Sequence, residues 1–389
     1  MTAFPSPDRL NRLMSFLRLD EDNLELLKET IHEAFACGQW EYARELIESG
    51  LERAPADAGL LGVVGILSLR DLRYGDAIDA LLAARTQGLD SAHLRYDIGY
   101  AHFMLRQHAE ALEALEFPAM ARTVPASLVL RARCLHHLGR IDEAIASCKE
   151  QLMLHPRGAE TLGLLALLLQ ERGRADEARM LAEAALEMDS LQLEAQLALA
   201  SIQADAHQHE AAQASFRALV QSHPTCGRGW LGLALADMMQ MQYDAARVSI
   251  ELAARHIPEH IGTWHVLAWL HILGGDAAAA KAAFEHALTL DRNFAETHGG
   301  LAVVAALQGR EIEAQQIVRR ALGLDPQSLA VQYARLLLMQ ALGQHDKAQA
   351  LVNDFLAREV PHRGMLYRDL LAQQMSRMNF IDRAGKTLH

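Results

Sequence analysis

Apolar residues recur along the chain at spacings of three and four, in stripes broken by short polar stretches. That period puts one apolar face on a helix, whereas a half-buried strand would alternate at every second residue. One position is more regular than the rest. Alanines that follow a turn and open an apolar stripe fall at Ala43, Ala77, Ala111, Ala144, Ala178, Ala212, Ala246, Ala280, Ala314 and Ala348. Successive gaps are 34, 34, 33 and then 34 to the end. A fixed period of this length marks a repeat architecture.

The same grammar surrounds each alanine. Twelve residues upstream the inner units hold a small residue: Gly65, Gly99, Ala132, Ala166, Ala200, Ala234, Ala268 and Ala302. The outer units hold Ile31 and Leu336 there. Five residues upstream stands Gly38, Gly139, Gly173, Gly309 or Gly343, a helix stop signal, and twelve downstream Pro55, Pro156, Pro224, Pro258 or Pro326 closes the unit. Each unit therefore reads as helix, tight turn, helix, tight turn. The small residues predict a crossing point where two antiparallel helices approach closely, flanked by large residues such as Leu267, Leu270, Phe284 and Leu288. The third unit departs from the rule. It is one residue short, and Pro118 predicts a second helix cut near Glu116, read either as a bend or as a frayed end.

Trp264, Leu267, Ala268, Gly275, Ala280, Phe284 and Ala287 resemble the signature of the tetratricopeptide repeat (TPR), as do Leu301, Ala302, Gly309, Ala314, Ala321 and Pro326. The resemblance implies an all-α fold, a right-handed α-solenoid superhelix of ten helix-turn-helix units. Their expected limits are 24–57, 58–91, 92–124, 125–158, 159–192, 193–226, 227–260, 261–294, 295–328 and 329–362. Residues 1–23, with Leu10, Leu13, Met14 and Leu17, are expected to form an N-terminal capping helix. Residues 363–389, with Leu366, Leu370, Leu371, Met375 and Met378, are expected to form a C-terminal capping helix and tail.

In that family positions 5, 9 and 12 of each unit face a concave groove. Among the thirty residues so placed only Lys28 and Arg133 are charged, and none is Asn. This argues against a basic clamp for acidic tails and against an asparagine ladder. The candidate partner-binding residues are Tyr96, Tyr100, Phe103 and His136, then Leu231, Leu235, Met238, His265, Trp269, Tyr333 and Leu337. Their apolar and aromatic character predicts a protein partner or peptide segment that is itself apolar and helical; the alternative is that these positions pack against the next repeat or that a terminal helix folds back into the groove.

Composition adds exclusions. Apolar residues make up 51% of the chain and aromatics 5%, so Ala and Leu carry the core, as in helical proteins. The formal net charge of −12, with no basic run, argues against a nucleic-acid partner. Cys37, Cys134, Cys148 and Cys226 lack metal spacing and read as buried free thiols. No signal-peptide core and no run of about 18 apolar residues is present, so the expectation is a cytoplasmic chain without membrane insertion. The 19 histidines complete no ligand set, and no phosphate-binding or nucleophile motif occurs; no metal, cofactor or catalytic residue is expected. The expected function is a non-enzymatic scaffold, adaptor or chaperone, as the resemblance suggests for bacterial secretion or envelope assembly. The alternatives are a self-assembling protein that forms a homodimer through its C-terminal helix, and a regulatory subunit of an enzyme.

Overall fold

A computed structural model describes residues 7–359 together with Leu366, Arg368 and Asp369. The chain divides into two compact units, residues 1–202 and 203–389. In the first, α1 (Pro7–Leu17) precedes five A/B helix pairs. These are α2 (Leu24–Ala36) with α3 (Trp40–Arg53), then α4 (Ala58–Arg70) with α5 (Tyr74–Thr86). Next come α6 (Ala92–Met104) with α7 (His108–Leu115), then the single turn α8 (Met120–Thr123). The pairs α9 (Ala126–His137) with α10 (Ile141–Leu154) and α11 (Ala159–Glu171) with α12 (Ala175–Met188) follow. The division falls near the end of α13 (Leu193–Asp205).

The second unit continues with α14 (His209–Ser222), then the pair α15 (Gly227–Met239) and α16 (Tyr243–His256). It goes on with α17 (Ile261–Leu273) and α18 (Ala277–Leu290), then α19 (Ala295–Leu307) and α20 (Glu311–Leu324). Last come α21 (Leu329–Ala341) and α22 (His345–Leu356). The described residues contain no strand, only an isolated bridge between Glu359 and Leu366. All-α helix-turn-helix pairing is thus the architecture.

Local chemistry starts and stops these helices. Asn23, Asp57, Ser91 and Ser328 each accept a hydrogen bond from the backbone N–H three residues on, satisfying a donor that the helix start would leave orphaned. A second device recurs at the fourth residue of the A helix. Trp230 Nε1 donates to the Pro224 carbonyl and Trp264 Nε1 to the Pro258 carbonyl, both at 2.7 Å, tying each helix to the loop before it. At the A-to-B turns Gly38, Gly139, Gly173, Gly275, Gly309 and Gly343 adopt φ of 68–77°. The following N–H then bonds back to a carbonyl five residues earlier, as in Arg140 N to Leu135 O at 2.8 Å.

The periodic alanines lie at the helix crossings. Eight of the ten are fully buried, and Ala212 and Ala348 are 1% and 5% exposed. Gly65 and Gly99 serve the same end, since an added Cβ would meet Leu81 Cγ at 2.4 Å and the Ala111 carbonyl at 3.2 Å. Between crossings the core is aliphatic. In the first unit Leu164, Leu165, Leu168 and Leu169 pack with Val129, Leu135, Ile145 and Cys148. In the second Ile250, Leu267, Leu270, Phe284 and Val304 do so.

α1 buries Leu10, Leu13 and Leu17, with Leu10 and Met14 against Ala34 and Ala43 and Leu17 against Leu27 and Ile31. The expected C-terminal cap lies outside the described residues except for Leu366, Arg368 and Asp369. At the third pair α7 stops at Leu115, and Ala119 takes φ of 59° before α8. That is a built turn and short helix rather than a frayed end. The cysteine expectation needs correction: Cys134 and Cys148 are buried, but Cys37 and Cys226 are only half-buried. Cys226 Sγ accepts from Gly229 N at the start of α15, a capping role that holds it near the surface.

Candidate functional site

The candidate residues fall on A helices and form one group in each unit. In the first unit α6 carries Tyr96 half-buried, Tyr100 at the surface, and Phe103 half-buried. Tyr100 meets Tyr74 edge-on with ring centroids 6.5 Å apart. Phe103 packs against His108 and His137, whose rings stack parallel at 4.3 Å. Burial, and then the negative charge of Asp97, raises the Tyr96 hydroxyl above its usual range. Burial pushes the Asp97 carboxyl itself up to about 6.

Both charged residues among the thirty positions are neutralised within the unit. Arg133 donates to Glu160 Oε1 and to Glu194 Oε1, each at 2.7 Å. Lys28 lies 2.5 Å from Glu25 and 3.2 Å from Asp57. His136 sits 2.9 Å from Glu171 through its Nε2. The sequence reading named Arg133 and His136 but missed these three glutamates. They stand at the second and thirteenth positions of their units, one or two units onward, so only an alignment of all units by register would have found them.

In the second unit Leu231 and Met238 are half-buried on α15, while Leu235 stands 44% exposed. Trp269 on α17 packs edge-on against Phe284 at 5.9 Å and lies 6.1 Å from the Tyr333 ring. It joins two neighbouring core clusters, and Leu337 on α21 packs in the second of them. Tyr333 is 41% exposed. His265 faces inward: its Nε2 lies 2.8 Å from Thr297 Oγ1, and Phe284 and Phe294 flank it. Burial holds its imidazole below the usual range.

Several other positions of the thirty are consumed by packing between units. Val129, Leu167, Leu197 and Val303 are 5% exposed or less. Gly62, Gly163 and Gly299 lie where the next A helix or its approach loop comes close. The exposed apolar surface is therefore narrower than thirty positions suggest and concentrates on Ile66, Tyr100, Leu235 and Tyr333. Among the described residues no group of three or more His, Cys, Asp or Glu is placed to hold a metal. Burial pushes both the Cys134 and Cys148 thiols up to about 12, which removes them as nucleophiles. No described helix is long and apolar enough to cross a membrane.

Known families match three stretches of the chain. Residues 76–151 match the family described as anaphase-promoting complex, cyclosome, subunit 3. Residues 197–259 and 261–294 match two families described as tetratricopeptide repeat. The human WD and tetratricopeptide repeats protein 1 is 35% identical over 108 residues, covering 26% of this chain. The match spans only 16% of that relative's length. Among solved structures, a monomeric IFIT1 mutant with m7Gppp-AAAA superposes with a TM-score of 0.56 at 14% identity. That superposition covers 89% of this chain and 94% of the other, and at this identity it speaks to fold alone. The tetratricopeptide matches at 197–259 and 261–294, the 34-residue period and the buried alanine crossings agree, and the chain is a tetratricopeptide-repeat protein.

Proposed function

We propose that the protein is a non-enzymatic interaction scaffold whose A helices hold an apolar, helical segment of a partner protein. The observation that carries this reading is the aromatic and aliphatic surface of the second unit, where Leu235 and Tyr333 stand exposed and the Tyr333 ring lies 6.1 Å from that of half-buried Trp269. Large rings anchored on one side by a packed core offer contact area at little cost in side-chain entropy. Pairing of Lys28 and Arg133 within the first unit supports the same view, because neither is left to recruit an acidic tail. The ten units with terminal caps belong to this proposal, as does a cytoplasmic adaptor or chaperone role in bacterial secretion or envelope assembly.

A capped RNA is the ligand of the IFIT1 structure, and this chain is poorly suited to one. Glu160, Glu171 and Glu194 surround Arg133 and His136, and a phosphate backbone placed there would meet three carboxylates. Trp269→Asp combined with Leu235→Asp should abolish pull-down of the partner recovered by affinity purification from the native cell, with helicity by circular dichroism unchanged. Undiminished capture by that variant would remove this surface from the function. Light scattering on a chain ending at Pro361 separates the homodimer alternative, since loss of a dimer on truncation would favour self-assembly.

A further inference from the structure

Asn23, Asp57, Ser91 and Ser328 cap their A helices with an oxygen, whereas α17 is capped by a ring nitrogen. His260 Nδ1 accepts from Thr263 N at 3.2 Å and lies 2.9 Å from Thr263 Oγ1. A backbone N–H can only donate, so this cap exists only while Nδ1 carries no proton. Protonation turns the acceptor into a donor and orphans the Thr263 N–H. It also sets a positive charge on the helix start, where the macrodipole opposes it. Thr263 is fully buried, so water does not take over the cap. Five residues on, His265 Nε2 lies 2.8 Å from Oγ1 of the fully buried Thr297 on α19. The rings of Phe284 and Phe294 flank it at 5.5 and 5.4 Å, surroundings that disfavour a charged imidazole. One helix is thus held at its start, and to its neighbour, by two rings that are required neutral.

The charged neighbours leave that balance in place. Arg228 on α15 opposes a proton on His260, whose loop follows Arg255 and His256 at the end of α16 and contains Glu259. Glu296 on α19 favours a proton on His265, but it already accepts from Leu329 N and Ala330 N. From α18 the uncharged Phe284 faces His265, and His286 lies over Trp264 at 4.0 Å, apart from both contacts. Burial and then Arg228 hold the His260 imidazole below its ordinary 6.5, and burial holds that of His265 below it. The stability these rings contribute is therefore complete above pH 6.5 and is lost as pH falls through their lowered values.

We propose that α17 is an acid-released element, the A helix whose cap and whose bridge to α19 both open when His260 and His265 take up protons. Release frees Trp269, whose ring packs on Phe284 and lies near Tyr333. Loss of partner binding in acid rests on the scaffold reading above; release of the helix does not.

The test is amide hydrogen exchange on the full chain at about pH 7.5 and about pH 5.0, expressed as protection factors that remove the intrinsic effect of pH. Protection across α17 should fall about tenfold in acid, while α21, capped by the untitrating Ser328 hydroxyl, stays within about twofold. His260→Asn installs the cap that Asn23 provides to α2, and His265→Gln places an untitratable amide opposite Thr297. The double variant should keep its α17 protection in acid. Imidazole titrations followed by NMR should place both rings below 6.5 in the folded chain. An α17 protection that ignores pH, or an equal loss in α21, overturns the proposal. A double variant that responds like its parent overturns it too, as does either ring titrating at or above 6.5. Capture of the purified partner at both pH values separates the two readings. Capture that persists in acid while α17 opens would sink the role of Trp269 in binding and leave the release of the helix standing.

Discussion

Gly299→Ala puts one methyl group where the second unit has no room for it. An added Cβ on α19 would lie 2.5 Å from Val331 N and 2.7 Å from both the carbonyl carbon and the Cβ of Ala330. Ordinary contact begins at 3.4 Å, so the start of α21 must retreat by about 0.9 Å, the difference between 3.4 and 2.5. No rotamer can relieve this, because two of the three obstructing atoms are backbone. That backbone is itself held: Glu296 accepts from Leu329 N at 2.6 Å and Ala330 N at 3.0 Å, and Ser328 Oγ caps Val331 N. Overpacking of this kind costs about 1–3 kcal/mol, while Ala gains about 1 kcal/mol over Gly inside a helix. The net expectation is a loss of about 1 kcal/mol, spread over adjoining repeats by their mutual contacts. Gly323→Ala is the matched control. Its Cβ meets nothing within 4 Å, so the same substitution near the end of α20 should gain about 0.5 kcal/mol. Urea unfolding of both variants, followed by tryptophan fluorescence from Trp230, Trp264 and Trp269, should show midpoints displaced in opposite directions. A Gly299→Ala protein as stable as its parent, or both variants moving the same way, would refute the close-approach argument.

Two further substitutions probe buried polar groups. Asp97 has its carboxyl raised from 3.8 to about 6 by burial, so its contribution to stability is fully present below pH 3.8 and is lost as pH rises through 6. That rise corresponds to about 3 kcal/mol, discounted to about 1–2 kcal/mol for a side chain that solvent still reaches. Asp97→Asn should therefore stabilise the protein by that amount at pH 7.5 and change nothing at pH 3.5; an equal effect at both would exclude the titration. Gln213→Leu removes the amide that donates to Asp237 Oδ1 at 2.5 Å, leaving the 2%-exposed carboxylate with Ser249 at 3.4 Å and Arg217 at 3.9 Å. A loss of about 1.5–3 kcal/mol in thermal or urea unfolding is expected, and a neutral result would show that the amide is dispensable.

The fold was largely legible because its determinants are local and repeat. An alanine every 34 residues, a glycine five before it and a proline twelve after it each act within one helix or one turn. Their consequences, close crossings and left-handed turns, need no knowledge of distant residues. Even so, four A-to-B turns take the left-handed conformation at Leu72, Arg106, His207 and Met241, with φ of 56–63° and no glycine to mark them. Each costs about 1–2 kcal/mol for an L-residue, which packing of the flanking helices must offset. Those turns were invisible to a glycine rule, although the period still placed them.

The candidate site was less legible. Register placed Tyr100, Leu235, Trp269 and Tyr333 on A helices, since side-chain direction along a helix follows from spacing alone. It could not say that Val303 would be sealed by the next helix, or that His265 would turn toward Thr297. Nor could it show that Arg133 would be neutralised by glutamates 27 and 61 residues onward.

By itself, then, the sequence determined the repeat, the helices and their crossing points, because a 3.6-residue period and a 34-residue period are written in neighbouring residues. Only the tertiary structure decided which apolar side chains stay exposed, which charges cancel, and that the early end of α7 at Leu115 leaves a cleft beside α8, α9 and α10. Those outcomes depend on distances between side chains of different units, set by how the helices stack, and no single unit contains them.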